Sequence, residues 1–162
     1  MRQDRRRALT GIALGFGGTM VALLSPRAAF AQAAYRVSYS VEEWHRRLQP
    51  AQFAILRQAD TEAPWSSPLL TEHRNGRFAC AGCGTATFDA ATKFESGTGW
   101  PSFWKAIDGS VQAVSDTSLG MTRNKVHCAT CGGHLGHVFD DGPRPTGLRY
   151  CMNGAALSFT PA

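Results

Sequence analysis

The chain has 162 residues, with 17 lysines and arginines against 12 aspartates and glutamates, and a formal net charge of +5 at pH 7. Residues 1–31 hold five arginines and one aspartate, so the remaining 131 residues carry a net charge of only +1. This balance excludes the basic footprint of a nucleic-acid-binding protein, and 131 residues suffice for one domain with its own core.

The first 31 residues have the layout of a bacterial export signal. A basic start with three arginines at positions 5–7 precedes an apolar stretch over residues 8–24 and small residues that end in Ala29-Phe30-Ala31. This order is typical of cleaved signals, and the arginine pair favours the twin-arginine type over the Sec route, which stays open. A membrane anchor is the weaker alternative, because a spanning helix needs ~20 apolar residues. We therefore predict a periplasmic protein, cleaved after Ala31 or Ala33, without stable membrane association.

Two short helices are predicted near the start of the mature chain, after a leader over residues 32–39. Ser40 is followed three residues later by a glutamate, a capping-box pattern that predicts a helix through about Leu48. Pro50 suits the first turn of a second helix that runs to about Gln58.

Short apolar or alternating runs separated by glycine, proline and aspartate follow from residue 77 onward. They cover residues 78–80, 87–88, 111–114, 125–128, 148–152 and 157–159. Such spacing predicts short antiparallel strands. We therefore predict one domain over residues 40–162 that is mainly β (α+β): a compact antiparallel sheet, tent-like or barrel-like, with short N-terminal helices.

Four of the five cysteines form two C-x-x-C pairs, Cys80 with Cys83 and Cys128 with Cys131. A tight turn lets each pair present both sulfurs to one ion, and four thiolates make a tetrahedral zinc site. With 44 residues between the pairs, the metal would join distant parts of the domain. Disulfides or a redox-active C-x-x-C are the alternatives in an exported protein, but a thioredoxin-like motif has one such pair beside a βαβ pattern. We predict one structural Zn²⁺.

The fifth cysteine, Cys151, has no such pair. It lies in a predicted strand, in which Cys151 and Asn153 point to the same face. Upstream are His134 and His137, three residues apart, and the segment Gly99-Trp100-Pro101-Ser102-Phe103. Taken alone, each has an ordinary structural interpretation: a core cysteine, a packed histidine pair and a packed turn.

Together, three segments around the zinc pairs resemble the methionine-R-sulfoxide reductase family. They are Gly99-Trp100-Pro101-Ser102-Phe103, residues 134–143 (His-Leu-Gly-His-Val-Phe-Asp-Asp-Gly-Pro) and Arg149-Tyr150-Cys151-Met152-Asn153. The resemblance extends from the Glu42-Glu43-Trp44 helix to Phe159. It implies a peptide-methionine (R)-S-oxide reductase whose substrates are oxidised proteins or peptides that bear methionine-R-sulfoxide.

The resemblance also implies a role for each residue of this cluster. Cys151 is the nucleophile that attacks the sulfoxide sulfur and becomes a sulfenic acid. His137 and Asn153 hold the sulfoxide oxygen, and His137 supplies a proton. The substrate-binding residues that it implies are Trp100, His134 and Phe139.

One feature departs from a well-known form of the family, which has a resolving cysteine in the Ser-Gly-x-Gly-Trp stretch. This chain has Thr98 there, so we predict a one-cysteine cycle in which a thioredoxin-like or other dithiol reductant regenerates Cys151. Arg149 could favour the Cys151 thiolate, although we expect the side chain of a strand neighbour to point away.

Two other classes of protein are the alternatives. A zinc-ribbon binding module would show basic or aromatic surface clustering, which the balanced charge does not indicate. A thiol–disulfide exchanger would use one C-x-x-C pair, and its zinc content would distinguish it. A monomer that binds no nucleic acid is the default expectation.

Overall fold

The computed structural model describes residues 35–116 and 123–162. The predicted export signal over residues 1–31 and the start of the predicted leader lie outside the described residues, so both stay predictions. Within the described ranges, no helix is long and apolar enough to cross a membrane.

Two helices open the described chain, α1 (Val41–Arg47) and α2 (Pro50–Gln58), where they were predicted. The Ser40 hydroxyl accepts the N–H of Glu43 at 3.2 Å and so starts α1. The capping box is only half formed, because the Glu43 carboxylate pairs with Arg47 at 2.7 Å. The helices bury their apolar faces through Trp44, Phe53, Ile55 and Leu56.

Nine strands follow in the described residues. They are β1 (Gly76–Cys80), β2 (Ala86–Asp89), β3 (Lys93–Phe94), β4 (Ser102–Phe103), β5 (Val111–Asp116), β6 (Arg123–Cys128), β7 (His134–Phe139), β8 (Arg149–Met152) and β9 (Leu157–Pro161). One sheet has the order β2-β1-β9, the other has the order β3-β4-β8-β7-β6-β5, and neighbouring strands are antiparallel. The mainly β fold with two short helices is confirmed.

Strands β3, β4 and β7 were not predicted. The first two have two residues each, too few to show an alternating pattern. Strand β7 contains Gly136, a residue type that is uncommon inside strands. A Cβ atom at Gly136 would lie 2.2 Å from the carbonyl oxygen of Cys151, so glycine marks the close approach of β7 to β8 rather than a turn.

Three fully buried phenylalanines connect the two sheets. Phe88 stacks on Phe103 with ring centroids 4.4 Å apart, and Phe78 meets Phe103 edge-on at 4.9 Å. Phe78 and Phe88 belong to the first sheet, whereas Phe103 belongs to β4 of the second. Burial of each ring stabilises the fold by about 1.5–3 kcal/mol, and the ring contacts hold β4 against β1 and β2 of the first sheet.

Candidate active site and metal site

The two C-x-x-C pairs meet at one point. Cys80 ends β1 and Cys128 ends β6, while Cys83 and Cys131 lie in the turns that follow. All four sulfurs lie within 4.8 Å of one another. The separations are 3.7 Å for Cys80–Cys131 and 3.6 Å for Cys83–Cys128, so the two turns face each other. Because β1 and β6 belong to different sheets, this four-cysteine site joins the sheets.

The site fits a zinc ion. Tetrahedral ligands with Zn–S bonds of about 2.3 Å have sulfurs about 3.8 Å apart, close to the separations of 3.7 Å for Cys80–Cys131 and 3.6 Å for Cys83–Cys128. A hydrogen bond with Cys128 raises the pKa of the Cys80 thiol, whereas one with Cys131 lowers the pKa of the Cys128 thiol. The thiols therefore ionise unequally by themselves, and a divalent cation would allow four thiolates to coexist.

Helix α2 and the segment before α1 both pack on the second turn of the four-cysteine site. The Arg57 guanidinium of α2 donates to the carbonyl of Cys131 at 3.2 and 3.3 Å. The N–H of Val37, in the predicted leader, donates to the carbonyl of Thr130 at 3.0 Å. The second half of the leader thus packs on the second cysteine turn.

Cys151 lies near the middle of the second sheet. Strand register places Cys151 opposite His137 of β7 and opposite Ser102 of β4. A cavity of about 200 Å³ opens beside the thiol. Its lining residues are Thr61, Trp100, Gly136, His137, Phe139, Cys151 and Asn153. This volume is below the usual 300–1,000 Å³ of small-molecule sites, and it suits a single side chain.

A row of hydroxyl groups lies beside the thiol. The Thr98 Oγ1 atom is 3.8 Å from the Cys151 Sγ atom, and Ser96 Oγ lies 2.8 Å from Thr98 Oγ1 and 2.7 Å from Ser102 Oγ. Burial raises the pKa of the Cys151 thiol, while the hydrogen bond with Thr98 and the charge of Arg149 act in the opposite direction. Burial prevails, so the thiol form dominates at neutral pH.

The expectation that Arg149 points away from Cys151 was wrong. The two residues are two positions apart on β8, so they share a face of the strand. The Arg149 guanidinium lies 4.4 Å from the ring centre of Phe139 and binds both carboxylate oxygens of Asp141 at 2.8 Å. Its charge lowers the pKa of Cys151.

His134 lies behind the cavity rather than at its wall. Its side chain is buried, with the residue 2% exposed. Its ring centre is 5.4 Å from that of His137 and 5.5 Å from that of His127. His134 starts β7 opposite His127, so it packs between these rings and supports His137.

Asn153 directly follows β8, and both the nitrogen and the oxygen of its side-chain amide form hydrogen bonds. Its nitrogen donates to the carbonyl of Leu135 at 3.1 Å, and its oxygen accepts the N–H of Glu62 at 3.1 Å. An amide nitrogen carries two hydrogens, which leaves one for a substrate oxygen. The structure thus brings together five of the six predicted site residues at the cavity: Trp100, His137, Phe139, Cys151 and Asn153.

Glu62 is a positioning residue that sequence reasoning missed. Its carboxylate accepts the N–H groups of Gly154 and Ala155, the second at 2.9 Å. Its carbonyl accepts the indole N–H of Trp100 at 3.2 Å, and its N–H binds Asn153. Glu62 therefore holds two cavity residues at once. A lone acidic residue in an irregular segment gives no sequence signal when its partners lie 38 to 93 residues away.

Comparison with known proteins identifies the family of the chain. A family model described as the SelR domain matches residues 48–161. The chain belongs to this family. Its curated members include "Peptide methionine sulfoxide reductase MsrB" of Leifsonia xyli subsp. xyli, 54% identical over 129 residues that cover 78% of this chain and 93% of the relative. The resemblance to the methionine-R-sulfoxide reductase family, MsrB, is confirmed.

Other MsrB relatives are similar over the same range. The protein of that name from Leptospira interrogans is 51% identical over 77% of this chain and 96% of the relative. The one from Bradyrhizobium diazoefficiens is 52% identical over 78% and 91%, respectively. A solved structure, "Crystal Structure of Mis18 'Yippee-like' Domain", covers 55% of this chain with a TM-score of 0.45 and 16% identity, and nothing is inferred from it.

Proposed function

We propose that this methionine sulfoxide reductase transfers the oxygen of peptide-bound methionine-R-sulfoxide to Cys151. The observation that carries the proposal is the pairing of Cys151 with His137 across β8 and β7, at the wall of a cavity sized for one side chain. A soft thiolate is a suitable nucleophile for sulfoxide sulfur, and the imidazole beside it is a suitable proton donor.

The reaction balances without a cofactor at Cys151. The thiolate attacks the sulfoxide sulfur and forms an S–S bond while His137 gives a proton to the sulfoxide oxygen. The resulting hydroxyl group then passes to the Cys151 sulfur as the S–S bond and the S–O bond of the substrate both break. The products are the methionine thioether and a Cys151 sulfenic acid. Because the raised pKa of Cys151 keeps the resting group as a thiol, its proton is proposed to pass first to the imidazole of His137, which then donates this proton to the sulfoxide oxygen.

The remaining cavity residues orient the sulfoxide. Asn153 lines the cavity, and its second amide hydrogen is proposed to bind the oxygen, with the rings of Trp100 and Phe139 as an apolar wall for the methyl group. The R and S epimers differ by exchange of the oxygen and the lone pair. A cavity that binds the oxygen through hydrogen-bond donors and the methyl group through apolar rings is therefore expected to accept one epimer only.

Regeneration is proposed to need an external dithiol. Thr98 provides a hydroxyl, not a thiol, 3.8 Å from the sulfur of Cys151. The four other cysteines are gathered at the four-cysteine site. Two thiols of a thioredoxin-like reductant would convert the sulfenic acid to thiol and water and become a disulfide themselves.

Mass spectrometry after one turnover tests the cycle. With methionine-R-sulfoxide and no reductant, the peptide that contains Cys151 should gain about 16 Da, one oxygen. The S epimer should produce no change, and Cys151→Ser should abolish the reaction. In Thr98→Cys, the same treatment should yield a disulfide to Cys151 with a loss of about 2 Da. A wild-type disulfide between Cys151 and any other cysteine would contradict the one-cysteine cycle.

We also propose that Cys80, Cys83, Cys128 and Cys131 bind one structural Zn²⁺. The sulfur separations and the unequal pKa values of the free thiols support this assignment. Elemental analysis should find about one zinc per chain in purified protein. A metal-free protein with a redox-titrating C-x-x-C pair would favour a thiol–disulfide exchanger instead.

Export to the periplasm through a twin-arginine signal is the proposed localisation, and it rests on residues 1–31 alone. Replacement of Arg5 and Arg6 by lysine should retain the unprocessed protein in the cytoplasm. Unchanged export of this variant would favour the Sec route.

A further inference from the structure

Trp65 combines exposure with an unusual backbone. The residue is 64% exposed, and its φ of 66° lies in the left-handed region that bulky side chains rarely adopt. Its N–H donates to the carbonyl of Gly99 at 2.8 Å, which holds this conformation. Strained positions of this kind cluster at functional sites.

The indole of Trp65 lies directly on the backbone beside the cavity. A Cβ atom at Gly99 would lie 2.8 Å from the Cβ of Pro64 and 3.0 Å from the indole nitrogen of Trp65. Gly99 has a φ of 90°, and it immediately precedes Trp100, which lines the cavity. A side chain at position 99 would displace Trp65, so the glycine allows Trp65 to form the rim next to Trp100.

The segment that carries Trp65 runs from the cavity to a second depression. Thr61 lines the cavity at one end, and Glu62 fastens the segment to the residues after Asn153. At the other end, residues 66–69 line a cleft of about 520 Å³, to which Ala155 and Leu157 also contribute. Trp65 lies between the two in sequence.

We propose that Trp65 binds the polypeptide that flanks the methionine sulfoxide residue, along a path from the cavity toward this cleft. The inference rests on the proposed function and adds to it the residue that holds the peptide beside the methionine sulfoxide. A cavity of about 200 Å³ holds one side chain, so the backbone and neighbouring residues of a substrate must lie on the rim. A tryptophan offers them a large apolar face and an indole N–H donor at low conformational cost.

The test compares two substrates of one reaction. The value of kcat/KM is measured for methionine-R-sulfoxide within a blocked peptide of seven residues and for the free amino acid, with dithiothreitol as reductant. Trp65→Ala should lower the peptide value about tenfold, as expected for loss of an aromatic anchor, and change the free amino-acid value less than about twofold. Trp65→Phe should retain most peptide activity, and Val114→Ala, on β5, is the matched control for loss of exposed apolar surface.

The outcomes separate the alternatives. Equal loss on both substrates, or no loss on either, overturns the role of Trp65 in peptide binding. An effect confined to the KM of a thioredoxin-like reductant assigns the surface to the reductant and also overturns it. Wild-type protein inactive on both substrates contradicts the proposed function itself, and the inference with it. Zinc content and thermal unfolding of each variant verify that it is folded.

Discussion

The four-cysteine site and the Cys151 cavity use the same side chain in opposite surroundings. At the first, four sulfurs lie within 4.8 Å of one another, where two strands of different sheets end. At the second, one sulfur lies inside a sheet, opposite a histidine and a serine and beside the hydroxyl of Thr98.

The residues that surround a cysteine, rather than the thiol itself, decide what that cysteine does. Crowded thiols require a cation before all can ionise, and the bound metal then makes them unreactive and structural. An isolated thiol beside proton donors can act as a nucleophile. At Cys151, burial raises the pKa and keeps the thiol protonated until it gives up its proton. Four substitutions test this difference between the four-cysteine site and the Cys151 cavity.

The largest expected effect is on folding. Cys128→Ser removes one thiolate of the proposed zinc site, and structural zinc contributes about 10 kcal/mol or more, comparable with the whole stability of a domain at about 5–15 kcal/mol. We expect loss of zinc and of cooperative thermal unfolding. Cys151→Ser is the matched control and should keep both. A Cys128→Ser protein that stays folded would contradict a structural role for the four-cysteine site.

A second prediction concerns the residue opposite the proposed nucleophile. His137→Gln removes the proposed proton donor and should lower kcat by about 10²- to 10⁴-fold. Zinc content and thermal unfolding should stay near those of the wild type. His73→Gln, at an exposed side chain, is the control and should have full activity. If His137→Gln kept the wild-type kcat, a residue other than His137 would have to be the proton donor.

The third prediction concerns Glu62. In Glu62→Gln, a neutral amide replaces the carboxylate that accepts two backbone N–H groups, so we expect a stability loss of about 1–3 kcal/mol. Trp100 and Asn153 bind the backbone of Glu62, whose position the carboxylate contacts fix, so kcat/KM should fall about tenfold at temperatures well below unfolding. Tryptophan fluorescence should shift as well. Exposed Glu95→Gln is the control; a stability loss without a kinetic or fluorescence change would leave Glu62 purely structural.

The smallest expected effect is on the acidity of Cys151. The positive charge of Arg149 lowers the pKa of this thiol against the effect of burial, so Arg149→Met should raise the pKa further and reduce the thiolate fraction at pH 7. The rate of iodoacetamide alkylation at Cys151 should fall about two- to fivefold, and its rise with pH should begin at higher pH. Arg47→Met on α1 should leave the profile unchanged. A faster alkylation in Arg149→Met would contradict this sign.

Local patterns predicted much of the framework. Ser40 and Pro50 located the starts of both helices, because capping and fixed φ are properties of a few adjacent residues. The two-residue strands β3 and β4 escaped prediction, because β3 pairs with β4, and β4 pairs with β8 about fifty residues later. Strand β7 escaped because Gly136 indicates a turn locally and a close strand approach only in the sheet.

Residue types and their spacing are enough to identify the reactive groups of this protein. These groups are two C-x-x-C pairs, one remaining cysteine, and the histidine, tryptophan and asparagine of the family motifs. Which of these groups come into contact depends on the tertiary structure. Strand pairing set His137 opposite Cys151 and left His134 behind it, and distant hydrogen bonds made Glu62 the support of Trp100. The reason is that residue type fixes reactivity, whereas proximity and burial arise from contacts between residues far apart in the chain.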